Sequence, residues 1–244
     1  MTVARVTLQP AYVVHTRAFR DTSLIVEVFT PEYGRMSLLA RGAKSGKAKK
    51  SLILQPFRAL HVSWAGRSEL PVLSAVEEAG NSLRLQGEAL ACGYYVNELI
   101  YFLVPRFEPS TNLFAEYWPV IESLTTVERR EEALRTFEVT LLEQIGYAPQ
   151  IAHDIESGLP IEPGKNYRYR IPEGPVQVEN TDKSGIAIGG HALLDLQRQA
   201  YAHPATSREI RFLMRSLIHY HLDGRELISR TLFSSFRKID SGVR

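Results

Sequence analysis

The hydrophobic pattern of this chain changes period once, at Gly80-Asn81, and that change divides it into a β-rich part followed by a helical one. Between Tyr12 and Val76, apolar residues alternate with polar ones or stand in short β-branched runs, the pattern of strands that bury one face. Candidate strands are Tyr12–Phe19, Ser23–Thr30, Arg35–Arg41, Phe57–Trp64 and Glu69–Val76. Turns fall at Arg20-Asp21-Thr22, Pro31-Glu32-Tyr33-Gly34 and Ala65-Gly66-Arg67, where Gly, Pro and Asp supply the backbone angles required. Five short strands in about 70 residues have the size of a small closed barrel, and the five-stranded OB-fold is the small barrel whose strand face and loops most often hold single-stranded nucleic acid. The sequence therefore predicts an α+β chain, with an N-terminal OB-fold β-barrel over residues 1–80 and an α-helical domain over residues 81–244.

Within the helical part, Leu83, Leu90, Tyr94, Leu99, Phe102 and Leu103 mark one long helix ending at Pro105. A second begins after Ser110 and runs through Ile121, kinked or split at Pro119. A third carries signals at both ends: Thr125-Thr126-Val127-Glu128 has capping-box spacing, and Gly146 stands where a left-handed cap belongs. From 147 to about 190, Gly, Pro and Asn break the helical pattern around the alternating run Tyr167-Arg168-Tyr169-Arg170-Ile171, which predicts a small β-rich insert. Helices resume near Ala192, open again at the capping-box spacing of Thr206-Ser207-Arg208-Glu209, and end with a shorter one over Leu227–Phe236.

The predicted third and fourth strands are joined by Arg41-Gly42-Ala43-Lys44-Ser45-Gly46-Lys47-Ala48-Lys49-Lys50, five positive charges with only small residues between them. Nothing in this stretch is built to pack. Net charge is +2 for the whole chain, but residues 1–80 carry 11 Lys and Arg against 6 Asp and Glu, and the remainder 18 against 21. The positive field is thus concentrated in the first third. A mobile basic loop meets a polyanion without fixed geometry, and counterion release then gives affinity independent of base sequence. The same residues also suit an ordinary solvated loop. Phe19, Phe29, Tyr33, Phe57 and Trp64 lie close in sequence and serve either to stack bases or to fill the barrel core.

Other chemistry is weak. Gly42 to Ala48 has three residues between its glycines, where a nucleotide-binding P-loop has four, and Ala48 stands where Ser or Thr holds magnesium. His153-Asp154-Ile155-Glu156 and His219-Tyr220-His221 are loose groups; two histidines two residues apart on a helix point away from each other. The single cysteine, Cys92, lies in an apolar helical pattern and reads as a buried, inert thiol. No cofactor or metal is expected, and enzymatic activity has no positive support. No run approaches the roughly 18 apolar residues of a membrane span, and no secretion signal opens the chain, so a cytoplasmic protein is expected.

Several segments, in order, resemble landmarks of the RecO family of bacterial recombination mediators. They are Tyr12-Val13-Val14-His15-Thr16-Arg17, Asp21-Thr22-Ser23-Leu24, Val28-Phe29-Thr30, Gly34-Arg35, Ala40-Arg41-Gly42-Ala43 and Leu54-Gln55-Pro56-Phe57. Tyr95-Val96-Asn97-Glu98-Leu99, Leu134-Arg135-Thr136-Phe137-Glu138, Leu141-Leu142, Ile145-Gly146-Tyr147 and Ser229-Arg230-Thr231-Leu232-Phe233 follow. Many members of that family carry a zinc-binding insert held by four cysteines, but residues 147–190 contain no cysteine and only His153 near the first ligand position, so the insert is expected to hold without zinc.

The resemblance implies a non-enzymatic protein that binds single- and double-stranded DNA, anneals complementary strands and, with RecR, helps load RecA onto DNA coated by single-strand-binding protein. Arg41, Lys44, Lys47, Lys49 and Lys50 are the candidate DNA contacts, with Arg17, Arg20 and Arg35 as strand-face contacts. The family also implies that the helical domain holds the acidic, Phe-ended tail of single-strand-binding protein. Arg135 is the candidate for the tail carboxylates, since a guanidinium binds one bidentately. An RNA-binding or translation-associated OB-fold protein shares these electrostatics and is the alternative.

Overall fold

The computed structural model describes residues 5–44, 50–178, 184–201 and 203–241. They belong to two compact units, one formed by residues 1–126 with 227–244 and the other by residues 127–226. The helices, in chain order, are α1 (Lys50–Ile53), α2 (Gly87–Leu103), α3 (Thr111–Ser123), α4 (Arg130–Gln144), α5 (Gly190–Gln197), α6 (Pro204–His221) and α7 (Ile228–Ser241).

In the first unit, strands β1 (Arg5–Phe19), β2 (Ser23–Thr30), β3 (Gly34–Ala40), β4 (Arg58–Ala65) and β5 (Val72–Ser82) curl into a barrel in the order β1-β2-β3-β5-β4. Side chains alternate in and out along each strand. Ala11 and Val13, Val26 and Val28, Met36, Leu38 and Ala40, Leu60, Val62 and Trp64, and Leu73 meet in one core. Four of the five junctions are antiparallel ladders. The fifth, between β3 and β5, is a single parallel pair, Leu39 with Val72, beside which the Leu39 N–H donates to the Pro71 carbonyl at 2.8 Å. The expectation of an OB-fold β-barrel is corrected at this seam, where one residue pair stands in place of a closing ladder. The architecture is a five-stranded antiparallel sheet, β3-β2-β1-β4-β5, rolled until its edges touch. The physical reason is local: Pro71 has no N–H to extend the ladder, and β3 ends at Ala40, one residue past the pair.

Two strands are longer than their sequence patterns. β1 begins at Arg5 because its first half pairs with β4, although Pro10 and the outward Leu8 break the alternation; the Leu8 N–H is satisfied by the Ser63 hydroxyl at 3.0 Å. β5 continues to Ser82 past Glu77, Glu78 and Gly80, residues of poor strand propensity, because β4 pairs with it at Glu77 and Glu78 and again, across a register shift, at Ser82.

Helices α2 and α3 cover the outer face of β1 and β2. The Tyr12 ring lies 4.8 Å from that of Phe114 and 4.3 Å from that of Tyr117, and Phe29 lies 5.6 Å from Phe114. The Tyr117 hydroxyl donates to Asn97 Oδ1 at 2.7 Å, and burial pushes its pKa far above the usual phenol range. α3 runs through Pro119 without ending. The turn between β2 and β3 is fixed by contact: Gly34 has φ +58°, and a Cβ there would stand 1.9 Å from the Glu108 carbonyl oxygen, so only glycine fits. α7 returns to pack on α2, and its first turn is capped from a distance. The Glu98 carboxylate accepts from the Ile228 N–H at 2.8 Å, the Ser229 N–H at 3.0 Å and the Ser229 hydroxyl at 2.5 Å.

In the second unit, α4 and α6 pack together and β6 (Asn166–Arg170), β7 (Gly174–Gln177) and β8 (Ile186–Gly189) form a three-stranded sheet in the order β7-β6-β8. Both capping-box assignments shift. The Thr125 hydroxyl donates back to the Glu122 carbonyl at 2.7 Å, a short 3-10 turn spans Val127–Arg129, and α4 starts only at Arg130. α6 starts at Pro204, where the His203 ring accepts from the Ala205 N–H at 3.3 Å. Gly146, at φ +83°, does end α4, with the Tyr147 N–H donating to the Leu142 carbonyl at 2.7 Å.

The insert is held by one carboxylate. Asp154, 4% exposed, accepts from the N–H groups of Glu156 at 2.9 Å and Ser157 at 2.6 Å, from the Ser157 hydroxyl at 2.9 Å and from the N–H of Gln177 on β7. Burial alone would raise its pKa, but the hydrogen bonds from Ser157, Gln177 and Glu156 outweigh it and hold the group below the usual carboxylate range. Because the folded pKa is depressed, its contribution to stability is present above the unfolded value of about 3.9 and is lost as pH falls through the folded value. Asp154→Ala is therefore expected to destabilise the protein by about 1–3 kcal/mol at pH 7, measured by urea unfolding, with the difference from the parent shrinking below about pH 4.

Candidate nucleic-acid interface

The hairpin turn between β1 and β2 and the first residues after β3 enclose a groove of about 600 Å³ lined by Phe19, Arg20, Asp21, Thr22, Leu39 and Arg41, among others. The two segments are joined by the Lys44 N–H, which donates to the Thr22 carbonyl at 2.9 Å. Ala43 is fully buried in the barrel core, so the basic segment is anchored at its start, contrary to the expectation that nothing in it packs. At its far end Lys50 opens α1 and is half-buried.

Arg20 and Arg41 are exposed in the lining of this groove, against one exposed acid, Asp21, and Lys44, three residues beyond Arg41, is exposed as well. The Arg20 guanidinium lies 5.3 Å from the centre of the Phe19 ring, and its backbone has φ +52°, a left-handed conformation costly for any residue with a Cβ. A guanidinium held over a half-exposed ring at the edge of a cationic groove can meet a phosphate while the ring faces a base.

The remaining candidates are spread. Arg17 is exposed on β1, opposite Ile25 of β2. Lys47 and Lys49 lie outside the described residues. Arg35 faces elsewhere: its Nε donates to the Val104 carbonyl at 3.1 Å, and Nη1 stands 3.4 Å from Glu27, itself 5% exposed. Burial draws the Arg35 pKa down against the opposing pull of Glu27. Arg106, which no local sequence signal singles out, also reaches Glu27 at 3.4 Å and donates to the Ser37 hydroxyl at 2.8 Å, while that hydroxyl donates to Glu27. Of the aromatic residues, Phe29, Phe57 and Trp64 are buried, and Tyr33 packs edge-on against Trp64 at 5.0 Å. Only Phe19 stands at the groove.

Arg135 lies on α4 in the second unit, 7% exposed, with Nη2 donating to the fully buried Glu138 at 2.6 Å. Its Nε–H has no acceptor among the described residues. No group of three or more potential metal ligands occurs among the described residues, and no described helix is long and apolar enough to cross a membrane.

A rolled five-stranded sheet with helices on one outer face, and an exposed groove lined by Arg20 and Arg41 at its rim, defines the class of protein to which this one belongs. Comparison with known proteins narrows the class. Residues 3–81 match the family model described as Recombination protein O N terminal, and residues 84–231 match Recombination protein O C terminal. The chain is 42% identical over 240 residues to the DNA repair protein RecO of Nitrosococcus oceani, covering 98% of each chain. It is 44% identical over 232 residues to that of Methylococcus capsulatus, covering 95% of each. The chain belongs to the RecO family. It is accordingly a DNA repair and recombination protein, and not an enzyme.

The backbone of Arg20 separates binding from folding. Arg20→Gly is expected to keep or raise stability by up to about 1 kcal/mol in urea unfolding, since glycine accepts the positive φ, while lowering affinity for a labelled oligonucleotide in the same preparation.

Proposed function

We propose that this protein is a recombination mediator that binds single- and double-stranded DNA, anneals complementary strands and, with RecR, helps load RecA onto DNA coated by single-strand-binding protein. The observation that carries the reading is the groove at the rim, where Arg20 and Arg41 outnumber Asp21 and Arg41 leads in sequence into the run that contains Lys44, Lys47, Lys49 and Lys50. Two DNA strands repel each other. A surface that neutralises phosphates without reading bases reduces that repulsion for any sequence, which is what annealing needs. Arg17, on the neighbouring strand, extends the cationic surface.

The test is annealing of two complementary labelled oligonucleotides with EDTA present and no ATP. The parent protein is expected to accelerate it, and a variant with Arg20, Arg41, Lys44, Lys47, Lys49 and Lys50 changed to Ala to accelerate it little. The slope of log affinity against log salt should flatten by roughly 0.7 for each single-strand phosphate contact removed. An unchanged slope would show that these charges do not meet phosphate. Competition between matched RNA and DNA strands decides the alternative: equal or tighter RNA binding would turn the function toward RNA.

The same reading assigns the acidic tail of single-strand-binding protein to the helical part, with Arg135 as its carboxylate contact. Arg135 is 7% exposed and its Nη2 is held by Glu138, so this contact requires the docking tail to displace what covers the guanidinium. Arg135→Lys keeps a positive charge for Glu138 but lacks the planar guanidinium fork that binds a carboxylate bidentately. It is expected to weaken binding of a tail peptide roughly tenfold while leaving annealing of bare DNA unchanged; equal loss of both would place the defect in the fold.

A further inference from the structure

Helix α6 carries a second cationic surface, wholly within the second unit. Arg208, Phe212, Arg215 and His219 are spaced i, i+4, i+7 and i+11, which sets them in one line of roughly 16 Å along the helix. All four are exposed; Phe212 is 60% exposed, and Tyr220, about 100° round the helix from His219, is 51% exposed with its ring edge-on to that of His221 at 5.2 Å. Arg208 and Arg215 form no ion pair among the described residues, whereas Arg211 at the margin is paired with Glu131 of α4. The one acid on the helix, Glu209, is turned to the sheet, accepting from the Gly189 N–H at 2.6 Å. The buried side of α6, with Ile210, Leu213, Met214, Leu217 and Ile218, already accounts for its packing. Neither aromatic side chain is needed there.

We infer that this face of α6 binds single-stranded nucleic acid, with Arg208 and Arg215 on phosphates and Phe212 and Tyr220 stacking bases. Cations interleaved with exposed rings are the composition of a sequence-tolerant strand platform. An acidic peptide with an apolar end needs a pocket for that end, and a convex helix face offers none. The inference rests on the annealing reading and deepens it: the barrel groove takes one strand, and an annealer also gains from a second phosphate-binding surface for the complement.

The test uses the full-length protein with a labelled oligothymidine and with complementary oligonucleotides. Arg208→Gln with Arg215→Gln is expected to flatten the salt slope by roughly 0.7 per contact and to slow annealing. Phe212→Ala with Tyr220→Ala is expected to weaken single-strand binding about tenfold, with duplex binding less affected and Phe212→Trp retaining affinity. These positions are exposed, so unfolding midpoints should not move. A photoactivated iodouracil strand should cross-link to Phe212 or Tyr220, a direct contact that a structural role does not produce. Native slope, affinity and annealing rate in both variants would overturn the inference. If the groove variant has lost binding in the same assay, only this inference falls; if it has not, the annealing reading falls with it. Loss of acidic-peptide binding with DNA binding intact would assign the face to a protein partner and equally overturn it.

Discussion

Glu27 sets the terms for the first unit. A carboxylate 5% exposed on a barrel strand is tolerated only with charged partners and full hydrogen bonding, because an unpaired buried charge costs several kcal/mol. Its partners come from two places: Arg35 and Ser37 on β3, and Arg106 in the connection from α2 to α3. That connection must therefore lie against the barrel, and the contact of Gly34 with the Glu108 backbone leaves no slack in how it does so. Once this face is committed to helices, its basic residue is committed too. Arg35 is absorbed by structure, and the cations left to solvent are those at the opposite ends of the strands, by the β1–β2 turn and beyond β3.

The rim groove shares residues with the weakest junction of the barrel. Leu39 lines the groove and also forms the only register pair of the β3–β5 seam. Arg41 follows two residues later, and the basic run begins there. The width of the groove is thus tied to a closure made of one pair and the bond from Leu39 to Pro71 rather than to a full ladder.

Periodicity carried most of the architecture. β2 was legible to the residue because Ser23–Thr30 has turn residues on both sides and an inward face of Leu24, Val26 and Val28. The first half of β1 was not, because Pro10 and the outward Leu8 speak against a strand and only β4 makes one of it. The capping boxes misled for a related reason: Thr125 and Glu209 have the right spacing, but the carbonyl of Glu122 and the N–H of Gly189 compete for them. At the candidate site, positive residues were legible as positive, but which were spoken for was not. Neither the burial of Arg135 beside Glu138 nor the engagement of Arg35 follows from local sequence. Landmarks far apart in the chain also proved to be one feature: Glu98 of the first helical segment caps the helix that begins at Ile228.

That last contact orders the assembly of the molecule in time. During synthesis the barrel and α2 leave the ribosome first, yet the segment that completes their unit emerges only after the whole of residues 127–226. Glu98 waits, exposed, for a helix N-terminus some 130 residues downstream. The unit that carries the groove is the first to begin emerging and the last to be complete in sequence, so a chain that ends before α7 leaves the face of α2 that packs on it uncovered. A chain cut short before Ile228 leaves Glu98 without the two N–H groups and the hydroxyl that it accepts from in the finished unit.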